Sequence, residues 1–118
     1  MRGDDLAERL LEFGARMVRL VDSVPKTFSG KHIAMQLFRS ATSAGANYEE
    51  ARGAESKADF IHKTAIVWKE IRESHYWLSM IHRSSLIKPA LVAKLLEESD
   101  QLRRIFGKSL ETARRNKP

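Results

Sequence analysis

Basic side chains are concentrated at the end of the chain and recur near its beginning, where they could bind phosphate groups. Residues 103–118 hold six basic residues and one acidic residue, whereas residues 1–102 are close to neutral. Near the start, basic residues recur at seven-residue spacing, which places them on one helix face. Such one-sided charge is typical of surfaces that bind polyanions. The predicted nucleic-acid-binding residues are Arg9, Arg16, Arg103, Arg104, Lys108, Arg114 and Arg115. The alternative is a basic C-terminus that only aids solubility and complements the helix dipole.

The segment RSATSAGANYEEA, residues 39–51, combines very small side chains with a row of polar ones. Small residues at four-residue spacing allow a second helix to approach closely. Gly45 costs about 1 kcal/mol of helix propensity relative to alanine, so a gain in packing or function should offset it. We therefore predict close helix packing at Ala41, Ala44 and Gly45, either inside a helical bundle alone or also against a second protomer.

The polar row of this segment has candidate partners in AIVWKEIRESHYWL, residues 65–78. Side chains three or four residues apart share a helix face, so the two segments could meet through ion pairs and hydrogen bonds. Partly buried networks of this kind contribute specificity more often than net stability. The alternative is a set of ordinary exposed helix pairs. The predicted network or subunit interface comprises Arg39, Ser43, Asn47, Glu50, Glu70 and Glu73.

None of the residue patterns that usually support catalysis occurs in the sequence. There is no cysteine, and no serine lies in a Gly-x-Ser-x-Gly turn. The run SAGAN lacks the glycines and the Lys-Ser/Thr pair of a phosphate-binding loop. The carboxylates at residues 70 and 73 lie among basic residues, a setting that does not suit a general acid. We therefore predict that the protein is not an enzyme and has no catalytic residue.

The histidines do not form a metal-binding set. A di-metal four-helix bundle takes two Glu-x-x-His motifs, whereas this chain has only Asp59-x-x-His62. Two others, His75 and His82, are seven residues apart, or two helical turns, and His32 stands alone. We predict no metal ion and no cofactor.

These residues are positioned by four amphipathic segments in which apolar residues recur every three or four positions. The predicted helices span about 4–23, 30–52, 57–84 and 89–115. A residue before proline leaves the helical region, so Val24-Pro25 ends the first helix. Ser56 followed by Asp59 is typical of a helix start. The apolar side of the fourth helix is predicted at Val92, Leu95, Leu102, Phe106 and Ala113, joined by Leu91, Ile105 and Leu110.

A chain of 118 residues with short connectors between long helices predicts one domain, 1–118, with antiparallel neighbouring helices. The predicted fold is an all-α, up-down-up-down antiparallel four-helix bundle. The longest runs without Asp, Glu, Lys or Arg are nine residues, well short of the roughly 18–20 that a membrane span needs. Asp4 and Asp5 precede any apolar run, unlike a signal peptide. We therefore predict a cytoplasmic protein with no membrane partner.

Two runs resemble a bacterial family of four-helix-bundle proteins first noticed as reading frames inside intervening sequences of 23S ribosomal RNA genes. The first run carries Arg39, Ser40, Ser43, Asn47 and Glu50. The second carries Ala65, Lys69, Glu70, Glu73, Tyr76, Trp77 and Leu78. The resemblance is strong over about residues 25–85 and rests on pattern alone in the two outer helices.

The resemblance implies a bundle that assembles into a homopentamer ring. It also implies kinship with the accessory variability determinant of diversity-generating retroelements, which looks like an adaptor for nucleic acid and a reverse transcriptase. With the basic rows, this predicts a non-enzymatic oligomeric adaptor that contacts RNA or DNA electrostatically. No stacking aromatic is obvious beside those rows, so sequence-specific reading is not expected. The alternative is a protein–protein interaction scaffold with no nucleic-acid role.

Overall fold

The computed structural model of the chain describes residues 2–116, with side chains from residue 3 onward, and consists of four helices. The helices are α1 (Arg2–Ser23), α2 (Phe28–Arg52), α3 (Lys57–Ser84) and α4 (Pro89–Arg115). Connectors 24–27, 53–56 and 85–88 are so short that consecutive helices must run antiparallel. α2 packs along both α1 and α3, and α4 packs along α3 and touches α1 less extensively. This arrangement confirms the predicted up-down-up-down four-helix bundle.

The bundle is a rod of 49 × 22 × 20 Å, as expected for helices of 22–28 residues that rise 1.5 Å per residue. Charged residues interrupt every helix. Within the described residues, therefore, none of the helices has the apolar length that a bilayer crossing requires.

Capping side chains set the starts of α2 and α3. Thr27 accepts a hydrogen bond from the Gly30 backbone N–H at 3.1 Å, so α2 begins at Phe28 rather than at the predicted residue 30. The glycine serves the connector instead, because a Cβ added at Gly30 would lie 1.9 Å from the Pro25 carbonyl oxygen. Ser56 accepts from the Asp59 N–H at 3.0 Å, as the sequence predicted.

The core is built from one buried row of each helix. The row of α1 consists of Leu6, Leu10, Phe13, Met17 and Leu20. The row of α4 runs through Val92, Leu95, Ser99, Leu102, Phe106 and Leu110. The placement of Leu91 on the apolar side of α4 was wrong, since its neighbour Val92 takes the core position and Leu91 is 55% exposed.

The middle of α2 contributes very small side chains to the core of the bundle. Ser40, Ala41 and Ala44 have no exposed surface, and α1 and α3 close over them from two sides. Ser74 of α3 donates a hydrogen bond to the Ser40 hydroxyl at 3.0 Å. On the α1 side, a Cβ added at Gly45 would lie 3.6 Å from the Leu10 Cβ. The small side chains therefore set the spacing of three helices.

A buried alanine of α2 and an exposed alanine of α4 provide a matched test of this spacing. Ala44→Leu adds volume to a fully buried position, and overpacking of this kind costs about 1–3 kcal/mol of unfolding free energy. Ala93→Leu, at an exposed position of α4, should change it by less than about 0.5 kcal/mol. Urea denaturation followed by circular dichroism measures both values. Equal stability of the two variants would contradict the packing described here.

Candidate nucleic-acid interface

Two of the cations predicted on α4 share one carboxylate. Asp100 accepts hydrogen bonds from Arg103 and, at 3.1 Å, from the Nε of Arg104. The hydrogen bond from Arg103 is the main reason why the pKa of Asp100 lies below its usual value. Asp100 falls just outside the basic segment 103–118, so a charge count over that segment misses its effect. Both arginines are therefore partly neutralised within their own helix.

The end of α4 shows the same local pairing. Glu111 accepts a hydrogen bond from Arg115 at 2.9 Å and lies 4.0 Å from the Lys108 Nζ. Arg114 forms no ion pair with a described carboxylate. Lys117, also counted in the basic segment, lies outside the described residues. The positive charge that the C-terminal segment offers to a ligand is therefore smaller than its number of basic residues indicates.

The two cations predicted on α1 differ in environment. Arg9 donates two hydrogen bonds to Glu98 of α4, at 3.1 and 2.8 Å, and a third to Gln101 at 3.3 Å. This bidentate pair links α1 to α4, which are the neighbouring helices with the least extensive contact. Arg16 has no carboxylate partner among the described residues. Their predicted contact with nucleic acid stays a prediction.

Three of the six residues of the predicted polar network meet between α2 and α3. Arg39 lies 3.4 Å from the Glu70 carboxylate, whose side chain is 9% exposed, and it also donates to Glu73. Trp77 donates its indole N–H to Glu73 at 3.0 Å. Burial by itself would raise the pKa of Glu73, but the hydrogen bonds from Trp77 and Arg39 outweigh it and hold that pKa below its usual value.

The remaining three residues lie apart from this cluster. Asn47 donates its side-chain amide to the Ser43 carbonyl oxygen, 2.9 Å away and one turn earlier in α2. Glu50 pairs with Lys63 of α3 at 3.5 Å. The predicted single network is thus divided into separate local contacts along α2.

A groove of ≈ 800 Å³ between α3 and α4 collects cations that the sequence-based prediction omitted. Three of them, Lys69, Arg72 and Arg83, form no ion pair with any described carboxylate, and we call them the α3 cations. Arg103 reaches the same groove from α4. We call this site the cationic groove. Its lining comprises Lys69, Arg72, Glu73, His75, Tyr76, Ser79, Met80, Arg83 and Arg103.

Aromatic rings lie beside these cations. Arg72 is positioned over the Trp68 ring, 4.7 Å from its centroid, a cation–π contact. Tyr76 is 56% exposed in the groove, and its ring centroid lies 5.1 Å from that of Trp77. The signal was present in the sequence, because Lys69, Arg72 and Tyr76 are spaced by three and four residues on one helix face.

His75 is one of the residues that line the cationic groove. Its Nδ1 lies 2.7 Å from the Ser99 hydroxyl, which donates to the Leu96 carbonyl oxygen at 3.0 Å. Burial lowers the pKa of His75, and the positive charge of Arg103 lowers it further. Ser99 has no exposed surface, so this His–Ser contact offers no nucleophile to a substrate.

A second groove, of ≈ 740 Å³, lies between α1 and α2 and has an apolar surface. Its floor includes Gly14, Ala15 and Gly45, and its rim includes Leu11, which is 67% exposed, and Val18, which is 42% exposed. We call this site the apolar groove. In the cyclic order α1–α2–α3–α4, the pairs α1/α2 and α3/α4 are opposite sides of the bundle. The apolar and cationic grooves therefore face away from each other.

Neither groove brings together a set of metal ligands. Within residues 2–116, no group of three or more histidine, aspartate or glutamate side chains is placed to hold a metal ion.

Comparison with known proteins gives a family and a fold. The family model described as 23S rRNA-intervening sequence protein matches residues 5–108. Among solved structures, the chain is similar to that of a protein of unknown function from the S23 ribosomal protein family of Bacteroides thetaiotaomicron. The two are 31% identical, with 94% of this chain and 99% of that chain covered and a TM-score of 0.85. No curated protein matches the chain.

The lowered pKa of His75 predicts a pH dependence of stability. In the unfolded chain this histidine takes up a proton near its ordinary pKa of 6.5, whereas in the folded protein it does so only at lower pH. Its contribution to stability is therefore fully present above pH 6.5 and is lost as the pH falls toward the folded-state pKa. His75→Gln, which cannot titrate, should lose less stability than the wild type between pH 7.5 and 5.5. An NMR titration of the His75 ring with a midpoint at or above 6.5 would contradict this prediction.

Proposed function

The chain belongs to the 23S rRNA-intervening sequence protein family, and we propose that it acts as a non-enzymatic oligomeric adaptor that contacts RNA or DNA electrostatically. Its cysteine-free sequence suits the cytoplasm, where we expect it to act. Kinship with the accessory variability determinant of diversity-generating retroelements remains a prediction from the sequence.

The observation that carries the nucleic-acid proposal is the set of unpaired cations in the cationic groove. A lysine or arginine that is already bonded to a carboxylate must exchange that partner for a phosphate. Such an exchange contributes little binding free energy. Lys69, Arg72 and Arg83 have no such partner among the described residues. Their charge is directed to one open groove rather than spread over the surface. Contacts to phosphate release counterions and dominate sequence-independent binding.

The oligomeric part of the proposal rests on the apolar groove. Leu11 and Val18 are exposed beside a floor of very small residues, and such a surface is suited to close packing against another chain. Since this groove lies opposite the cationic groove, an assembly built through it would leave the cations accessible. A ring of five copies, as the family resemblance implies, would repeat the cationic groove and sum weak phosphate contacts.

The absence of an enzymatic role is supported by the chemistry of the titratable groups. Glu73, the carboxylate that lines the cationic groove among the described residues, has a lowered pKa and is bonded to Arg39 and Trp77. A general acid needs the opposite shift. Ser99, whose hydroxyl lies 2.7 Å from the Nδ1 of His75, is completely buried.

A protein–protein interaction scaffold is the second candidate, and the apolar groove favours it. In that case the groove would receive another protein, and the cations would serve solubility alone. The two candidates differ in what charge reversal on α3 does.

Reversal of the α3 cations should abolish most of the binding to nucleic acid. The triple variant Lys69→Glu/Arg72→Glu/Arg83→Glu should bind a labelled single-stranded oligonucleotide at least about 10-fold more weakly than the wild type at low salt. The slope of log affinity against log salt should fall by about 2 in magnitude, since each lost contact to a single strand contributes about 0.7. Fluorescence anisotropy over a salt series measures both quantities.

A triple variant with the same change in charge provides the control. Lys26→Glu/Lys31→Glu/Lys94→Glu alters exposed lysines that do not line the cationic groove, so it should retain most of the affinity and the wild-type slope. Equal losses in the two triple variants would contradict a specific role of the groove. A wild type that binds no oligonucleotide at low salt would favour the scaffold.

A further inference from the structure

We propose that the cationic groove binds a single-stranded stretch of RNA or DNA, with phosphates on the α3 cations and one unpaired base stacked on Tyr76. The inference rests on the nucleic-acid role proposed above and narrows the ligand of that site.

The α3 cations form a single line along one helix. Lys69 and Arg83 are fourteen residues apart, which corresponds to about 21 Å along a helix axis, and Arg72 lies between them. Arg103 of α4 borders the same groove. One line of charge can follow one sugar–phosphate backbone, whereas a duplex presents two.

Tyr76 lies within this line, four residues after Arg72 and seven before Arg83. More than half of its surface is exposed in the groove. In a duplex, both faces of a base are covered by its neighbours, so the base meets a protein ring only after it leaves the stack, at a cost in free energy. A single strand offers its bases directly, and stacking on an aromatic ring accepts any base. Cations interleaved with an exposed ring therefore favour a single strand.

The Trp77 ring, against which Tyr76 packs, is held in place by the polar contacts between α2 and α3. The planes of the two rings meet at an angle of 80°. Trp77 donates its indole N–H to Glu73 at 3.0 Å, and Glu73 is bonded in turn to Arg39. A second edge contact, to His32 at 5.9 Å, also fixes the Trp77 ring. A ring that packs against a fixed neighbour before binding loses less conformational freedom when a base stacks on it.

The nearest negative charges do not oppose a phosphate strongly. Among the described residues that line the groove, Glu73 is the one carboxylate, and its charge is paired with Arg39. Asp100 is bonded to both Arg103 and Arg104. The unpaired charge that faces the groove is therefore positive.

The test compares three labelled probes by fluorescence anisotropy at about 50 mM salt. They are a twelve-nucleotide oligothymidine, the corresponding oligouridine and a twelve-base-pair DNA duplex. Tyr76→Leu removes the aromatic face, and Tyr76→Phe is the matched control that keeps it. Circular dichroism checks that both variants retain their helices, as expected for an exposed side chain.

The wild type and Tyr76→Phe should bind at least one single strand about 10-fold more tightly than the duplex. Tyr76→Leu should weaken single-strand binding by about 5- to 100-fold. It should leave duplex binding and the salt slope unchanged, because no charge is lost. A preference for oligouridine or for oligothymidine identifies RNA or DNA as the ligand, and either result supports the proposal.

Equal binding of strand and duplex, unchanged in Tyr76→Leu but still weakened by salt, would overturn the single-strand inference and leave the electrostatic adaptor intact. A wild type that binds none of the three probes would overturn both.

Discussion

The small size of the buried side chains in the middle of α2 is the constraint on which the rest of the bundle depends. Ser40, Ala41 and Ala44 are completely buried, and they carry so few atoms that α1 and α3 can both approach the α2 backbone. Larger core side chains come mainly from the other helices, such as Phe13 of α1 and Phe106 of α4. Because packed interiors tolerate little added volume, the spacing fixed at α2 also sets the separation of α1 and α2 at the apolar groove.

α2 also links the two grooves. On one side, Gly45 and Ala46 form part of the apolar groove against α1. On the other, Arg39 holds Glu73, which accepts the indole N–H of Trp77 behind the exposed tyrosine of the cationic groove. A helix with very small residues on one face and an anchoring arginine on another can support two different surfaces at once. This explains why a mid-helix segment combines glycine and alanine with a row of polar residues.

The fold could be predicted from the sequence because its signals are local. The three- and four-residue spacing of apolar side chains locates each helix, and Ser56 and Pro89 mark helix starts through their own chemistry. The start of α2 lies two residues before the predicted one because the Thr27 side chain caps the helix. Leu91 fits the apolar pattern of α4 but is exposed, because its neighbour Val92 fits the same pattern and takes the core position.

The candidate site was harder to predict because it depends on which charges remain after pairing. The cations of α4 cluster toward its C-terminal end, yet Asp100 and Glu111 neutralise several of them at three- and four-residue spacing. The cations of α3 are fewer and lie among glutamates in the sequence, but Glu73 turns to Arg39 of α2 instead. The pair between Glu73 and Arg39 forms because α2 packs on α3. A count of charged residues in the sequence therefore could not locate the cationic groove.

We propose that one face of this bundle assembles and that the opposite face binds nucleic acid. Light scattering of the purified protein, with absorbance read at 260 and 280 nm, tests both halves together. We expect an excess of 260 nm absorbance that a high-salt wash removes, and after the wash a protein mass of at least twice 13.5 kDa. A particle of 13.5 kDa with the absorbance ratio of protein alone at low salt would contradict this proposal.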